Sequence, residues 1–109
     1  MRGGRVSMPG YRLATPAKRD LAKILEYQLK NAGGRVAMNL EAEFRKAFRS
    51  LVGHPGMGHK RQDLTPRAAL FFLVGQYLLV YRNEPDAVVF FAILHRSRDV
   101  KAILSTRVF

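Results

Sequence analysis

A chain of 109 residues is long enough to bury the core of one domain and too short for two domains with separate cores. Its 19 Lys and Arg residues outnumber its 8 Asp and Glu residues, and the resulting net charge of +11 favours an acidic protein or a polyanion as partner. Because the sequence contains no cysteine, disulfides, cysteine-based zinc sites and thiol chemistry are excluded, which is compatible with a reducing cytoplasm.

The amino-terminal residues combine arginine with glycine and contain no apolar segment of the length that a signal peptide requires. We therefore expect residues 1–7 to form a flexible tail, with Met8 as an alternative start, and residues 8–109 to form a single domain. The alternation of apolar and charged residues at 11–13 is typical of a short strand.

Thr15 and Pro16 predict the start of a helix, with Thr15 as its N-cap and Pro16 at the first helical position. The periodicity that follows separates an apolar face from a polar face. The apolar face carries Leu21, Ile24, Leu25 and Leu29, and the polar face carries Asp20, Lys23, Tyr27 and Lys30. Residues 31–34 end the helix because they include two consecutive glycines.

A second helix follows at once, because apolar residues again recur at helical spacing. They are Val36, Leu40, Phe44, Ala47, Phe48 and Leu51. Two amphipathic helices in tandem predict a helical hairpin. Residues 52–66 contain several glycines and prolines without periodicity and are predicted to form a loop.

Residues 70–95 hold two apolar runs, rich in aromatic and β-branched residues, that predict three consecutive strands. Gly75-Gln76 fits a two-residue hairpin turn, and residues 83–86 supply turn formers before the last strand. Each run is far shorter than the roughly 20 apolar residues of a membrane-spanning helix, so we expect core strands of a soluble protein and no membrane partner.

A last short helix is predicted from the spacing of Val100, Ile103 and Leu104. The order strand, helix, helix, three strands and short helix predicts an α+β domain. We expect a small, largely antiparallel sheet with the N-terminal helical hairpin packed on one face.

Four groups of residues carry a family resemblance. They are Tyr11-Arg12-Leu13 with Ala17 and Asp20-Leu21; His54-Pro55-Gly56-Met57-Gly58 with Arg61 and Asp63-Leu64; Gly75-x-Tyr77-Leu78-x-x-Tyr81-Arg82; and Ile93-Leu94-His95-x-x-Arg98-Asp99. In this order and spacing they resemble the ParE/RelE superfamily of toxins from type II toxin-antitoxin systems, and the ParE branch most closely. One departure is Gly33-Gly34, where many relatives have an aromatic residue followed by glycine.

The resemblance implies a small basic cytoplasmic toxin that a co-expressed acidic antitoxin holds inactive in a toxin-antitoxin hetero-oligomer, without any cofactor. ParE-type members act on DNA gyrase and stall it on cleaved DNA, whereas RelE-type members cut messenger RNA on the ribosome. Gyrase inhibition is therefore the implied function, and ribosome-dependent endoribonuclease activity is the alternative. A basic module that binds nucleic acid without chemistry is a third candidate, which salt-sensitive DNA binding without gyrase would favour.

A ribonuclease needs a base for the 2′-hydroxyl, an acid for the leaving oxygen and cations near the phosphate. If the chain is a nuclease, His95, Arg61 and Arg82 are the candidates, although His95 also fits a strand-end histidine that bonds to backbone. No Tyr or Glu follows Asp86, which weakens the nuclease interpretation, and we assign no catalytic residue. No metal site is predicted, because the histidines of the loop have no carboxylate or cysteine neighbours at ligand spacing.

Arg96, Arg98 and Lys101 follow the last strand and are the predicted target-binding residues, with a purely solvated cluster as the alternative. Asp99, in their midst, either pairs with Arg98 or caps the last helix. Tyr27 is the predicted antitoxin-binding residue, because an exposed aromatic side chain on the hairpin is a suitable anchor for an acidic segment that wraps around the domain.

Overall fold

The computed structural model describes residues 10–109, and its elements follow the predicted order. The strands are β1 (Tyr11–Leu13), β2 (Leu70–Val74), β3 (Tyr77–Asn83) and β4 (Val88–His95), and the helices are α1 (Thr15–Ala32), α2 (Gly34–Gly53) and α3 (Val100–Ser105). A single turn of 3-10 helix at Pro55–Met57 follows α2. The predicted tail, residues 1–7, and the alternative start at Met8 lie outside the described residues.

The four strands form one mixed sheet in the order β1-β4-β3-β2. Strand β3 pairs antiparallel with β2 and β4, and β1 pairs parallel with β4, so the prediction of a largely antiparallel sheet is confirmed. Gly75 has a φ of 57° at the first position of the β2–β3 turn, as a primed hairpin turn requires. The β3–β4 register shifts between Val80 and Tyr81, which leaves Phe91 as a bulged residue of β4.

The predicted helical hairpin is confirmed, with Gly33 between the two helices. Gly33 has a φ of 92°, and its N–H donates to the carbonyls of the last turn of α1. The predicted N-cap is wrong, because α1 begins at Thr15 and Ala14 is the cap, without a side-chain hydrogen bond. Ala14 takes this position because its N–H donates to the Phe90 carbonyl at 2.9 Å, which fixes the chain at the end of β1.

Two side chains of α1 do not lie on the predicted faces. Asp20 was predicted on the solvated face, but its carboxylate accepts the Ile93 N–H of β4 at 3.0 Å. Leu29 was predicted on the buried face, but it is 56% exposed. A Cβ at Gly34 would lie 3.9 Å from Leu29 Cδ1, so the glycine leaves this side of Leu29 uncovered.

Apolar side chains pack on both faces of the sheet. The larger cluster joins the hairpin to one face and contains Phe44, Ala47, Phe48, Leu51, Tyr77, Leu79, Tyr81, Val88, Phe90 and Ile93. The smaller cluster joins α3 to the opposite face and contains Ala69, Phe71, Val80, Ala92, Leu94, Val100 and Leu104. The hairpin therefore covers one face, as predicted, and α3 covers part of the other. Among residues 10–109, no helix combines the length and the apolarity needed to cross a membrane.

Candidate functional site

The three cations predicted to bind a target line one groove on the α3 side of the sheet. This cationic groove has a volume of about 530 Å³, and its lining residues are His59, Arg61, Leu64, Phe71, Leu73, Leu78, Arg96, Arg98, Asp99, Val100 and Lys101. The floor is apolar and comes from β2 and β3, whereas basic residues from two separate segments form the walls. Such a groove combines positive potential with apolar contact area.

One wall is the turn between β4 and α3. The Arg96 N–H donates to the Gln76 carbonyl at 2.8 Å, which ties this turn to the β2–β3 turn. Asp99 caps α3, because its Oδ1 accepts the Ala102 N–H at 3.2 Å. With Asp99 in that role, the wall's three cations, Arg96, Arg98 and Lys101, form no ion pair with any residue from 10 to 109.

The opposite wall follows the 3-10 turn. The backbone of His59 pairs with Phe71 through hydrogen bonds of 2.9 and 2.8 Å. This antiparallel bridge adds one residue to the sheet along the outer edge of β2. Two residues later, the Arg61 guanidinium donates to both carboxylate oxygens of Asp63, at 2.9 and 2.8 Å. The hydrogen bond from Arg61 is the main reason why the pKa of Asp63 lies below its ordinary value, and the charge of Lys101 lowers it further.

The three candidate nuclease residues do not meet in one site, because only Arg61 lines the cationic groove. His95 pairs with Tyr77 across the strands, and its ring meets the Tyr77 ring edge-on at 5.2 Å on the hairpin side of the sheet. Its Nδ1 accepts the Ser97 N–H at 3.1 Å, so His95 makes the strand-end backbone bond that was its alternative role.

Arg82, the third nuclease candidate, is held by structural contacts. Its Nε donates to the Ala68 carbonyl at 2.8 Å, and its Nη1 lies 3.7 Å from the Glu84 carboxylate. The guanidinium also lies over the rings of Phe91 and Phe109, at 5.3 and 5.8 Å from their centroids. Within residues 10–109, no group of three or more His, Asp or Glu side chains converges in a way that suits a metal ion.

The chain matches the sequence model of a family described as "ParE toxin of type II toxin-antitoxin system, parDE" over residues 11–100. It belongs to the ParE toxin family. Among solved structures it is similar to a chain of the chromosomal ParDE toxin-antitoxin system from P. aeruginosa, with a TM-score of 0.68 over 81% of this chain and 96% of that chain. At 14% identity this similarity shows a common fold. No curated protein sequence matches the chain at a significant level.

The hairpin of this ParE-family chain exposes a second, mostly apolar groove. This hairpin groove has a volume of about 510 Å³ and is lined by Leu25, Glu26, Leu29, Gly34, Ala37, Met38 and Glu41. Met38 is 71% exposed. The sequence pattern does not indicate a role for Met38, because it lies outside the apolar stripe of α2. Tyr27 is 63% exposed, but it is not among the residues that line the hairpin groove.

Sequence analysis of this ParE-family chain also missed part of the cationic groove. Leu73 lies in a predicted core strand, yet it is 47% exposed on the floor of the groove. The reason is that β2 is an edge strand and α3 has only 6 residues, too few to cover the whole face. The loop histidines enter the sequence analysis only as rejected metal ligands, because the place of His59 in the groove depends on its pairing with Phe71, which no local pattern indicates.

Proposed function

We propose that this ParE-type toxin inhibits DNA gyrase through the cationic groove and that a co-encoded acidic antitoxin neutralises it. The observation that carries the proposal is the set of three cations, Arg96, Arg98 and Lys101, which line one groove and have no carboxylate partner within residues 10–109. Gyrase engaged with DNA is an anionic target, and the chain carries a net charge of +11. With gyrase as the target, the proposed site of action of the toxin is the cytoplasm.

The chemistry of the groove supports a binding role. The Arg61 guanidinium is already bound to Asp63, and Phe71, the one phenyl ring of the lining, is only 3% exposed. Stacking of nucleic-acid bases needs exposed aromatic faces, and the floor offers the aliphatic side chains of Leu73 and Leu78 instead. We therefore expect the walls to provide charge attraction and the floor to provide apolar contact with a protein surface that carries bound DNA.

The test compares two triple variants with the same loss of charge. In the groove variant, Arg96, Arg98 and Lys101 are replaced by Gln. In the control variant, Lys23, Lys46 and Arg49 are replaced by Gln, since these are exposed cations of the hairpin without an ion pair in the described structure. Both should unfold thermally like the wild type, because exposed cations contribute little to stability.

Purified wild-type protein and the control variant should stall gyrase on cleaved DNA, and the groove variant should lose this inhibition. Equal inhibition by both variants would reject the groove as the target-binding surface. Cleavage of ribosome-bound message at defined codons, with gyrase unaffected, would assign the toxin to endoribonuclease chemistry, with His59 as the imidazole of the groove. Salt-sensitive DNA binding, with neither gyrase inhibition nor cleavage, would favour a plain nucleic-acid-binding module.

The antitoxin half of the proposal rests on the family and on the net charge. An acidic, partly disordered chain gains charge neutralisation and apolar burial when it wraps around a basic domain with exposed apolar surface. Expression of the toxin alone should arrest growth, and co-expression of the acidic protein from the neighbouring reading frame should restore it. Normal growth with folded toxin accumulating in the cell would contradict the toxin proposal.

A further inference from the structure

The hydroxyl of Tyr81 lies beneath the loop that carries one wall of the cationic groove. The side chain is fully buried in the hairpin-side core, with its ring centroid 5.7 Å from that of Phe90. Its Oη donates to the Pro55 carbonyl at 2.7 Å and accepts the Gly58 N–H at 2.9 Å. One core side chain therefore binds both ends of the turn that follows α2. We call this pair of hydrogen bonds the Tyr81 latch.

Gly58 makes the latch possible by lacking a side chain. Its φ of −76° is ordinary for any residue, so the backbone does not require glycine here. A Cβ at this position would lie 2.4 Å from Tyr81 Oη and 2.8 Å from Tyr81 Cε1, closer than real Cβ atoms approach other atoms. The tyrosine ring thus occupies the space that a side chain at position 58 would need.

The residue after the latch begins the groove wall. His59 pairs with Phe71 in both directions, and the chain then continues to Arg61. Two successive residues, Gly58 and His59, are therefore attached to the sheet, one through a core side chain and one through backbone. The opposite wall is attached to the same sheet through the hydrogen bond from Arg96 N–H to Gln76. Both walls are therefore anchored to the same sheet, and the Tyr81 latch is one of the two attachments of the wall that begins at His59.

We propose that Tyr81 is a positioning residue for the cationic groove, which holds the His59 and Arg61 wall at a fixed distance from the Arg96, Arg98 and Lys101 wall. Tyr81 itself is buried beneath the loop and acts only through the turn that it binds. The functional part of this inference rests on the proposed role of the groove in target binding, whereas the positioning part is a property of the fold that can be measured without a target.

The absence of cysteine from the chain allows a direct measurement of the wall separation. The exposed residues Lys60 and Ala102 lie beside the two walls, and the changes Lys60→Cys and Ala102→Cys provide attachment points for a pair of spin labels. The wild-type background should give a narrow distribution of label distances. Tyr81→Phe, which removes the hydroxyl and keeps the ring, should broaden or shift this distribution.

Two glycine variants provide a matched comparison in the same turn. Gly58→Ala places a methyl group against Tyr81 and should broaden the distribution as Tyr81→Phe does. Gly56→Ala meets no atom within 4 Å and should behave like the wild type. If Tyr81→Phe does not fold, Gly58→Ala still tests the proposal. This change lies in the loop and leaves the core side chain of Tyr81 intact.

Amide hydrogen exchange separates a positioning role from a general role in stability. In Tyr81→Phe, the amides of Gly58, His59 and Phe71 should exchange about tenfold faster, while the amides that join β3 to β4 should be unchanged. Equal acceleration throughout the sheet, or wild-type distances in both Tyr81→Phe and Gly58→Ala, would overturn the proposal. Gyrase inhibition should fall in these two variants and persist in Gly56→Ala. If the groove variant still inhibits gyrase, the proposed function fails, while the label distances still decide on the latch.

Discussion

Asp20 of α1 and Arg107, near the carboxyl end, form a bidentate ion pair with N–O distances of 2.6 and 2.8 Å. The pair lies along β4, beyond the point where β1 ends. Asp20 Oδ2 also accepts the Ile93 N–H, and Arg107 Nη1 donates to the carbonyl of the bulged residue Phe91 at 3.2 Å. Two side chains therefore supply the hydrogen bonds that a longer β1 would have provided.

Removing the carboxylate of this pair should destabilise the fold. Asp20→Ala leaves the Arg107 side chain, only 17% exposed, without its partner and leaves the Ile93 N–H without an acceptor. We expect a loss of about 2–3 kcal/mol in the free energy of unfolding by urea. The control is Asp86→Ala, which breaks the exposed pair with Arg12 and should cost less than about 1 kcal/mol. Equal losses in both variants would contradict a structural role for the Asp20–Arg107 pair.

The contribution of Arg107 should not change with pH in the neutral range. The hydrogen bond to Asp20 raises the pKa of Arg107, so its contribution to stability is complete below the ordinary arginine pKa. It is lost only when the pH rises through the raised value, far above neutrality. The difference in unfolding free energy between the wild type and Arg107→Gln should therefore be the same at pH 7 and pH 9.

Asp99 should stabilise α3 through its side-chain oxygen. Asp99→Ala removes the acceptor of the Ala102 N–H and should cost about 1 kcal/mol, whereas Asp99→Asn keeps an acceptor and should cost less. Urea unfolding of the two variants checks this order. If both variants lose the same free energy of unfolding, Asp99 stabilises the helix through its negative charge near the first turn and not through its hydrogen bond.

The order of elements was predictable because hydrophobic periodicity and turn residues are local properties of the chain. The predictions of Thr15 as N-cap and of Asp20 on the polar face are wrong because this segment makes long-range contacts. Its observed partners, Phe90, Ile93 and Arg107, are distant in sequence. No local pattern could indicate these contacts.

Only part of the candidate site was predictable from the sequence. Arg96, Arg98 and Lys101 are close in sequence, so their clustering could be predicted from one segment. The opposite wall and the floor come from residues that meet only because β2 pairs with β3 and His59 pairs with Phe71. Strand pairing order is a tertiary property, and for this reason the groove became visible only in the structure.

Asp63 should report on the charge of the cationic groove. The hydrogen bond from Arg61 lowers the pKa of Asp63, and Lys101 adds to the effect. A carboxylate with a lowered pKa contributes to stability above the ordinary carboxyl pKa, and the contribution is lost as the pH falls through the lowered value. In an NMR titration of the carboxyl carbon, Arg61→Gln should therefore raise the midpoint of Asp63 strongly, and Lys101→Gln should raise it slightly. A wild-type midpoint at the ordinary value would show that the pair does not persist in solution.

The hairpin groove should bind the antitoxin through its exposed apolar side chains. Leu29→Ala and Met38→Ala remove contact area from the groove, and each should weaken antitoxin binding by about 1 kcal/mol or more, which is about fivefold in Kd. Because both side chains are mostly exposed in the toxin alone, its thermal unfolding should hardly change. Isothermal titration calorimetry with the co-encoded acidic protein measures the affinity. Val108→Ala, a truncation of a still more exposed apolar side chain at the carboxyl end, is the control.

The same titration with Tyr27→Ala decides which side of α1 the antitoxin covers. Tyr27 is exposed but does not line the hairpin groove, so an antitoxin confined to the groove should bind Tyr27→Ala with wild-type affinity. A loss in all three variants would indicate a segment that wraps from the groove across the outer face of α1 and contacts Tyr27, the predicted antitoxin-binding residue. If only Tyr27→Ala weakens binding, the hairpin groove is not the docking surface and the antitoxin binds the outer face alone.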